Sequence, residues 1–224
     1  MQHLFTTRFE GVSEAPYESF NLGLHVNDDA LHVNQNRAIL KAKLGVSKLV
    51  FMNQVHGDKI VQIQTGDELP ECDAMITNQP DIALVVMVAD CIPILYYDKR
   101  HYAIGVAHAG RAGTRLHVGQ KTAQKMAETF GSRLDELTIW MGPSIRSCCY
   151  EVGVEATKGF ELSLHIKEGK YFLDLQKANF EAFLAMGLKR ENVNVSEVCT
   201  CCDKTYFSYR RDHVTGRFAG VIGL

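Results

Sequence analysis

The chain has 224 residues, 46% of them hydrophobic, which is enough apolar material for a sizeable core. Its 24 basic and 26 acidic side chains leave a net charge of −2. That balance excludes the basic footprint of a nucleic-acid binder. The longest apolar run, Ile82 to Val88, is far too short for a membrane span. The N-terminus Met1-Gln2-His3-Leu4-Phe5 lacks the regions of a secretory signal, so a cytoplasmic location is expected.

In chain order, residues 2–9 read as a strand, followed by a polar loop through Glu14-Ala15-Pro16. Asp28 or Asp29 is placed to cap a helix from Ala30 to Leu44, with Gly45 as its stop. Leu49-Val50-Phe51-Met52 predicts a buried strand, and Lys59 to Ile63 alternates as a half-exposed one. Three β-prone runs follow, Ile82 to Val88, Pro93 to Tyr97 and Tyr102 to Ala107. After them the Gly-rich turn 109–114 leads into a helical pattern to about Phe130. Leu137 to Met141, Val193 to Val198 and Ala219 to Ile222 read as strands, and 154–162 and 175–186 as helices. Central strands with helices between and after them predict an α/β or α+β fold, sheets covered by helices. With no linker, charge block or repeat, one domain over 1–224 is expected.

Three strings carry chemistry: Gln54-Val55-His56-Gly57, Ala89-Asp90-Cys91-Ile92-Pro93 and His108-Ala109-Gly110. Each sets one metal-competent side chain beside a turn at the end of an apolar run. Two imidazoles and a thiolate are one ligand short of a closed tetrahedral zinc site, which leaves a coordination position open for chemistry. The spacings, 35 and then 17 residues, are too wide for a finger or ribbon. Cys91 with one histidine also describes a nucleophile and its base, but the second histidine is surplus to that mechanism. The same donors suit copper. Nine histidines and no His-x-His pair argue against multicopper chemistry. The turn at Gly110 to Gly113 precedes a helix start whose free N–H groups suit an anion.

Seven cysteines include the adjacent pairs Cys148-Cys149 and Cys201-Cys202, which do not look like a secreted disulfide framework. Cys199, Cys201 and Cys202 resemble a metal knuckle, and only Cys148 and Cys149 are available to complete it. Packing or incidental thiols is the expectation for this group.

The three strings, with Gly142-Pro143-Ser144-Ile145, Cys149-Tyr150-Glu151-Val152-Gly153, Cys199-Thr200 and Phe207-Ser208-Tyr209-Arg210-Arg211-Asp212, together resemble the laccase-domain family. That family is also called the multicopper polyphenol oxidase or purine nucleoside phosphorylase family. Thr7-Arg8, Phe20-Asn21-Leu22-Gly23, Asn36-Arg37 and Thr215-Gly216-Arg217 look like it too, so the likeness covers essentially the whole chain. The resemblance implies a single layered sandwich similar to the catalytic domain of cytotoxic necrotising factor. It implies one Zn2+ held by His56, Cys91 and His108, with copper as the lesser alternative. The implied activities are phosphorolysis of adenosine, inosine or methylthioadenosine and deamination of adenosine, with a small-molecule nucleoside and phosphate as partners. Other members have been described as polyphenol oxidases or as hydrolases that edit a peptidoglycan precursor.

Within that frame Asp90 is a candidate proton carrier and Arg37 a candidate catalytic guanidinium. Arg8, Asn21, Gly110, Arg111 and Gly113 are candidates for holding substrate or phosphate. One departure stands out. The family usually reads His-Ala-Gly-Trp-Arg-Gly, and here the last three positions are Arg111-Ala112-Gly113, which implies an altered phosphate grip.

Overall fold

The computed structural model describes residues 1–224. Strands β1 (Gln2–Phe5), β2 (Lys48–Val50), β5 (Ile82–Val88) and β13 (Phe218–Gly223) form a four-stranded sheet in the order β1-β13-β5-β2. A six-stranded sheet runs β12-β8-β6-β7-β4-β3. Its members are β3 (Ile60–Gln62), β4 (Ala74–Thr77), β6 (Ile92–Asp98), β7 (Ala103–Ala109), β8 (Thr138–Met141) and β12 (Val193–Val195). A small third sheet joins β9 (Glu151–Val152), β10 (Leu164–Lys167) and β11 (Lys170–Leu173).

The two large sheets stack face to face. Leu84, Val86 and Val88 of β5 and Phe218 and Ile222 of β13 meet Met75, Leu95, Ile104 and Val106 of the other sheet. The alternate residues of the same strands, Ala83, Val85, Met87, Ala219 and Val221, point outward onto helix α1 (Ala30–Leu44). Helices α3 (Val118–Phe130) and α4 (Leu175–Ala185) cover the far face of the six-stranded sheet through Val118, Met126 and Phe183. The order of layers is therefore helix, sheet, sheet, helix. Strands buried on both faces read as continuous apolar runs, which is why 82–88 shows no polar alternation.

α1 begins and ends where its caps predict. Asp29 accepts a hydrogen bond from the Leu31 N–H at 2.8 Å, a cap that contributes about 1 kcal/mol. Gly45 closes it at φ 63°.

Other expectations are corrected. The expected turn 109–114 is itself largely helical, as α2 (Arg111–Arg115), and the helix to Phe130 starts only at Val118, after His117 turns left-handed at φ 61°. No α-helix forms over 154–162. Isolated 3-10 turns at Val154–Ala156 and Glu161–Ser163 flank Gly159, whose φ of 87° breaks the path. The run 49–52 is a strand only to Val50, and β1 stops at Phe5. No helix is long and apolar enough to cross a membrane.

Candidate metal centre and its cavity

β5 leaves the four-stranded sheet and β6 enters the six-stranded one through the turn Asp90-Cys91, with Asp90 left-handed at φ 93°. Cys91 is thereby fixed at the end of the sandwich. His108 lies inside β7, one residue before its end, paired with Pro93 of β6. His56 arrives from the irregular segment after β2. Gln54 anchors that segment by exchanging two hydrogen bonds with the Met87 backbone, at 2.8 and 3.0 Å. The three ligand atoms gather within 4.8 Å of one another, and the two imidazole rings meet edge to face, 4.7 Å between centroids. The structure thus brings together the three residues singled out from the sequence.

What orients them is Asp73, which the sequence reading did not single out. Fully buried at the entry to β4, it accepts the backbone N–H groups of Val55, His56 and Gly57 at 3.2, 2.9 and 2.7 Å. It also bonds the Nδ1 of His108 at 2.8 Å, and its own carbonyl accepts the His108 N–H. A carboxylate on Nδ1 fixes the ring and leaves Nε2 as the ligand atom. One buried acid therefore sets two of the three ligands. The only hint in the sequence is an acid directly before a buried apolar run.

Burial alone would raise the Cys91 thiol, but the charge and hydrogen bond of His108, with help from His56, bring it down to about 6. Burial would lower His108, and the Cys91 thiolate and Asp73 outweigh it, holding the imidazole up at about 9. Each partner favours the charged form of the other, and a metal bound here would compete with a proton for the same donors. Donor type, their spacing and the Asp73 carboxylate behind His108 all fit a metal ion. Gly110 makes the close approach possible, since a Cβ there would lie 2.7 Å from the Cys91 sulfur.

The centre forms one wall of a cavity of about 630 Å³, within the range of roughly 300–1,000 Å³ usual for small-molecule sites. Its other walls include His25, Met87, Tyr150, Tyr209, Arg210 and Arg217. Arg217 holds the carbonyls of Thr215 and Gly216 through Nη1, leaving Nε and Nη2 without a protein partner. Burial, then the charges of Arg217 and Arg37, lowers the pKa of His25.

Asp90 lines the cavity, but both of its carboxylate oxygens are engaged, one by the Thr200 hydroxyl and one by the Arg210 N–H, each at 2.7 Å. Arg8, Asn21, Gly110, Arg111, Gly113 and Arg37 are not among the lining residues. Arg37 grips the Leu22 carbonyl at 2.9 and 2.7 Å and stacks 3.8 Å above Phe51. Arg8 bonds the Glu18 carbonyl and Asn21 is buried against Asp28 and the Arg217 N–H. Gly113 packs on the His108 carbonyl, and Arg111 lies beside Tyr150. The guanidinium groups that do face the cavity, Arg210 and Arg217, come from the last fifteen residues.

Residues 2–224 match the multi-copper polyphenol oxidoreductase laccase family. The chain belongs to that family. A purine nucleoside phosphorylase of Corynebacterium glutamicum is 36% identical over 235 residues, spanning 100% of this chain and 94% of the relative. The purine nucleoside phosphorylase YlmD of Bacillus subtilis is 31% identical across 98% of this chain and 87% of its own length. Among solved structures, the hypothetical protein YfiH of Bacillus licheniformis superimposes with a TM-score of 0.95 at 33% identity, covering 99% of this chain and 92% of that one.

Proposed function

We propose that the cavity is the active site of a metal-dependent enzyme that cleaves purine nucleosides with phosphate. The observation that carries this reading is the meeting, in one cavity, of the His56, Cys91 and His108 donors with the partly unengaged guanidinium of Arg217. The names of the relatives support the substrate class.

In the reaction, a phosphate oxygen bonds to C1′ of the ribose as the bond from C1′ to the purine breaks. The electron pair leaves with the base, and the products are ribose 1-phosphate and free purine. Arg217 holds the phosphate through Nε and Nη2, because a guanidinium grips a phosphate with two parallel donors. Tyr150 and Tyr209 offer aromatic faces to the purine. His25, on the cavity wall, is suited to hydrogen-bond the departing base. Two imidazoles and a thiolate fit zinc, which when bound supplies positive charge and Lewis acidity at the cavity wall. In this reading Arg37 and Asn21 act from behind, Arg37 by fixing Leu22 and Asn21 by fixing Arg217.

Deamination of adenosine at the same site is the second reading. The metal centre supports it as well, since hydrolytic loss of the 6-amino group draws on the Lewis acidity a bound metal supplies. Asp90, with both oxygens engaged, then positions the Arg210 segment.

The test is product analysis of zinc-loaded protein with adenosine, with and without phosphate. Adenine and ribose 1-phosphate formed only with phosphate is the expected result. Inosine formed regardless of phosphate would move the assignment to the deaminase. Neither product from adenosine, inosine or methylthioadenosine would overturn the nucleoside reading in favour of a hydrolase of cell-wall precursors.

A further inference from the structure

Behind the wall of the cavity lies a second cluster of sulfur. Cys148 and Cys149 occupy the turn after Ile145, and Cys199 and Cys202 the turn after β12. The two segments are laced together by a bridge between Ser144 and Cys199, with the Thr200 N–H on the Ser144 carbonyl at 3.1 Å. All four sulfurs lie within 4.8 Å of one another. Cys148 is 3.7 Å from Cys149 and 3.8 Å from Cys202, and Cys149 is 3.3 Å from Cys202.

These separations choose between two chemistries. A disulfide needs sulfurs at about 2.05 Å, far inside every pair here. A tetrahedral zinc with bonds of about 2.3 Å sets its sulfurs about 3.8 Å apart. Two of the three close pairs already match, and the third needs a shift of about half an ångström. Cys199 and Cys202 also have the C-x-x-C spacing of a zinc knuckle. The backbone N–H of Arg146 points at the Cys199 sulfur at 3.4 Å, a donor suited to a thiolate. Four thiolates carry excess negative charge, and two guanidinium groups rest on these segments. Arg210 bonds the Cys149 carbonyl at 2.9 Å, and Arg211 bonds the carbonyls of Thr200 and Cys201 at 2.7 and 3.3 Å. Cys201 stays outside the cluster.

We propose that Cys148, Cys149, Cys199 and Cys202 form a second, closed, four-thiolate zinc site. Its role is structural, because four protein ligands leave no position for substrate. It fastens the segment carrying Ile145 and Tyr150 to the segment leading to Tyr209 and Arg210, and all four of those residues line the cavity. The proposal is independent of the reaction assigned to the cavity.

Metal content of the full chain, purified under reductant and loaded with zinc, tests it. Two zinc ions per chain are expected, one in a His56→Ala/Cys91→Ala variant, and one in a Cys149→Ser/Cys202→Ser variant. Cobalt in the His56→Ala/Cys91→Ala variant should give the intense sulfur-to-cobalt absorption of a four-thiolate site. Thiol alkylation of the unmodified protein, mapped by peptide mass, covers the case in which a variant fails to fold. Protection of Cys148, Cys149, Cys199 and Cys202 by zinc, lost on chelation, supports the site. Equal labelling with and without chelator, a single zinc lost entirely with His56 and Cys91, or a disulfide within the group under reductant would each overturn it.

Discussion

The two clusters of metal-competent side chains draw on different parts of the fold. His56, Cys91 and His108 stand where both large sheets end, with buried Asp73 behind them and a cavity in front. Cys148, Cys149, Cys199 and Cys202 sit on two turns tied by backbone bonds of Ser144 with Val198 and Thr200 and by the Arg146 side chain on the Ser196 carbonyl. The first arrangement is held in shape by the protein before any ion arrives, and its three donors leave one position free. The second has donors enough to close a shell, so an ion there holds the protein. Donor count and the source of rigidity together separate a centre that can do chemistry from one that fastens.

Removing a donor should act differently at each. Cys91→Ser is expected to lower turnover of the zinc-loaded enzyme by on the order of 100-fold or more, with the far-ultraviolet circular dichroism unchanged. Steady-state rates near those of the parent would detach catalysis from this centre. Asp73→Asn, which keeps the shape but loses the charge, should weaken metal affinity at the triad by about 10–100-fold. A competitive chelator titration reads it, and the thiol cluster should be unmoved.

The same acid gives a pH signature. Burial would raise Asp73, but the hydrogen bond of His108, with the N–H groups of Gly57 and Val55, holds its pKa below the ordinary value of 3.8. Its stabilising contribution is complete above that value and is lost as pH falls through the depressed folded one. In metal-free protein, denaturant midpoints below about pH 4 should therefore fall more steeply for the parent than for Asp73→Asn.

Gly110→Ala tests the close packing around Cys91. A methyl 2.7 Å from that sulfur should destabilise the fold by about 1–3 kcal/mol and reduce occupancy of the triad, with thermal melts and metal analysis as the readouts. The smallest effect is expected at the other cluster. Cys149→Ser should lower the melting temperature by a few degrees and raise KM by about threefold, with kcat little changed, because it loosens a wall and spares the donors. A large fall in kcat instead would give the two clusters one shared role.

Local chemistry is what the sequence displayed well. The caps Asp29 and Gly45 bound α1 at both ends, and the uninterrupted run 82–88 marked a strand covered on both faces. His56, Cys91 and His108 were legible because each interrupts an apolar run beside a turn. Asp73 was not, since its partners come from segments more than fifteen residues away and no period announces them. The arginines fared worst for the same reason. A guanidinium goes where carbonyls are free, and for Arg37 that is Leu22, a partner supplied only by the fold. The four sulfurs converge through the Ser144 to Cys199 bridge, a tertiary pairing that composition could only hint at.

β13 has a consequence for how the molecule is made. It lies between β1 and β5 in its sheet, pairing Gln2 with Gly223 on one side and Val88 with Phe218 on the other. During synthesis the first strand must therefore wait, unpaired on that edge, until residues 218–223 have left the ribosome. Arg217 immediately precedes that strand, so the same few residues join the sheet and deliver the guanidinium to the cavity. A chain cut short before them carries all three metal-binding side chains but an open sheet with exposed strand edges, a template for aggregation. Completion of the four-stranded sheet therefore waits on residues 218–223, and a product interrupted before them leaves strand edges bare.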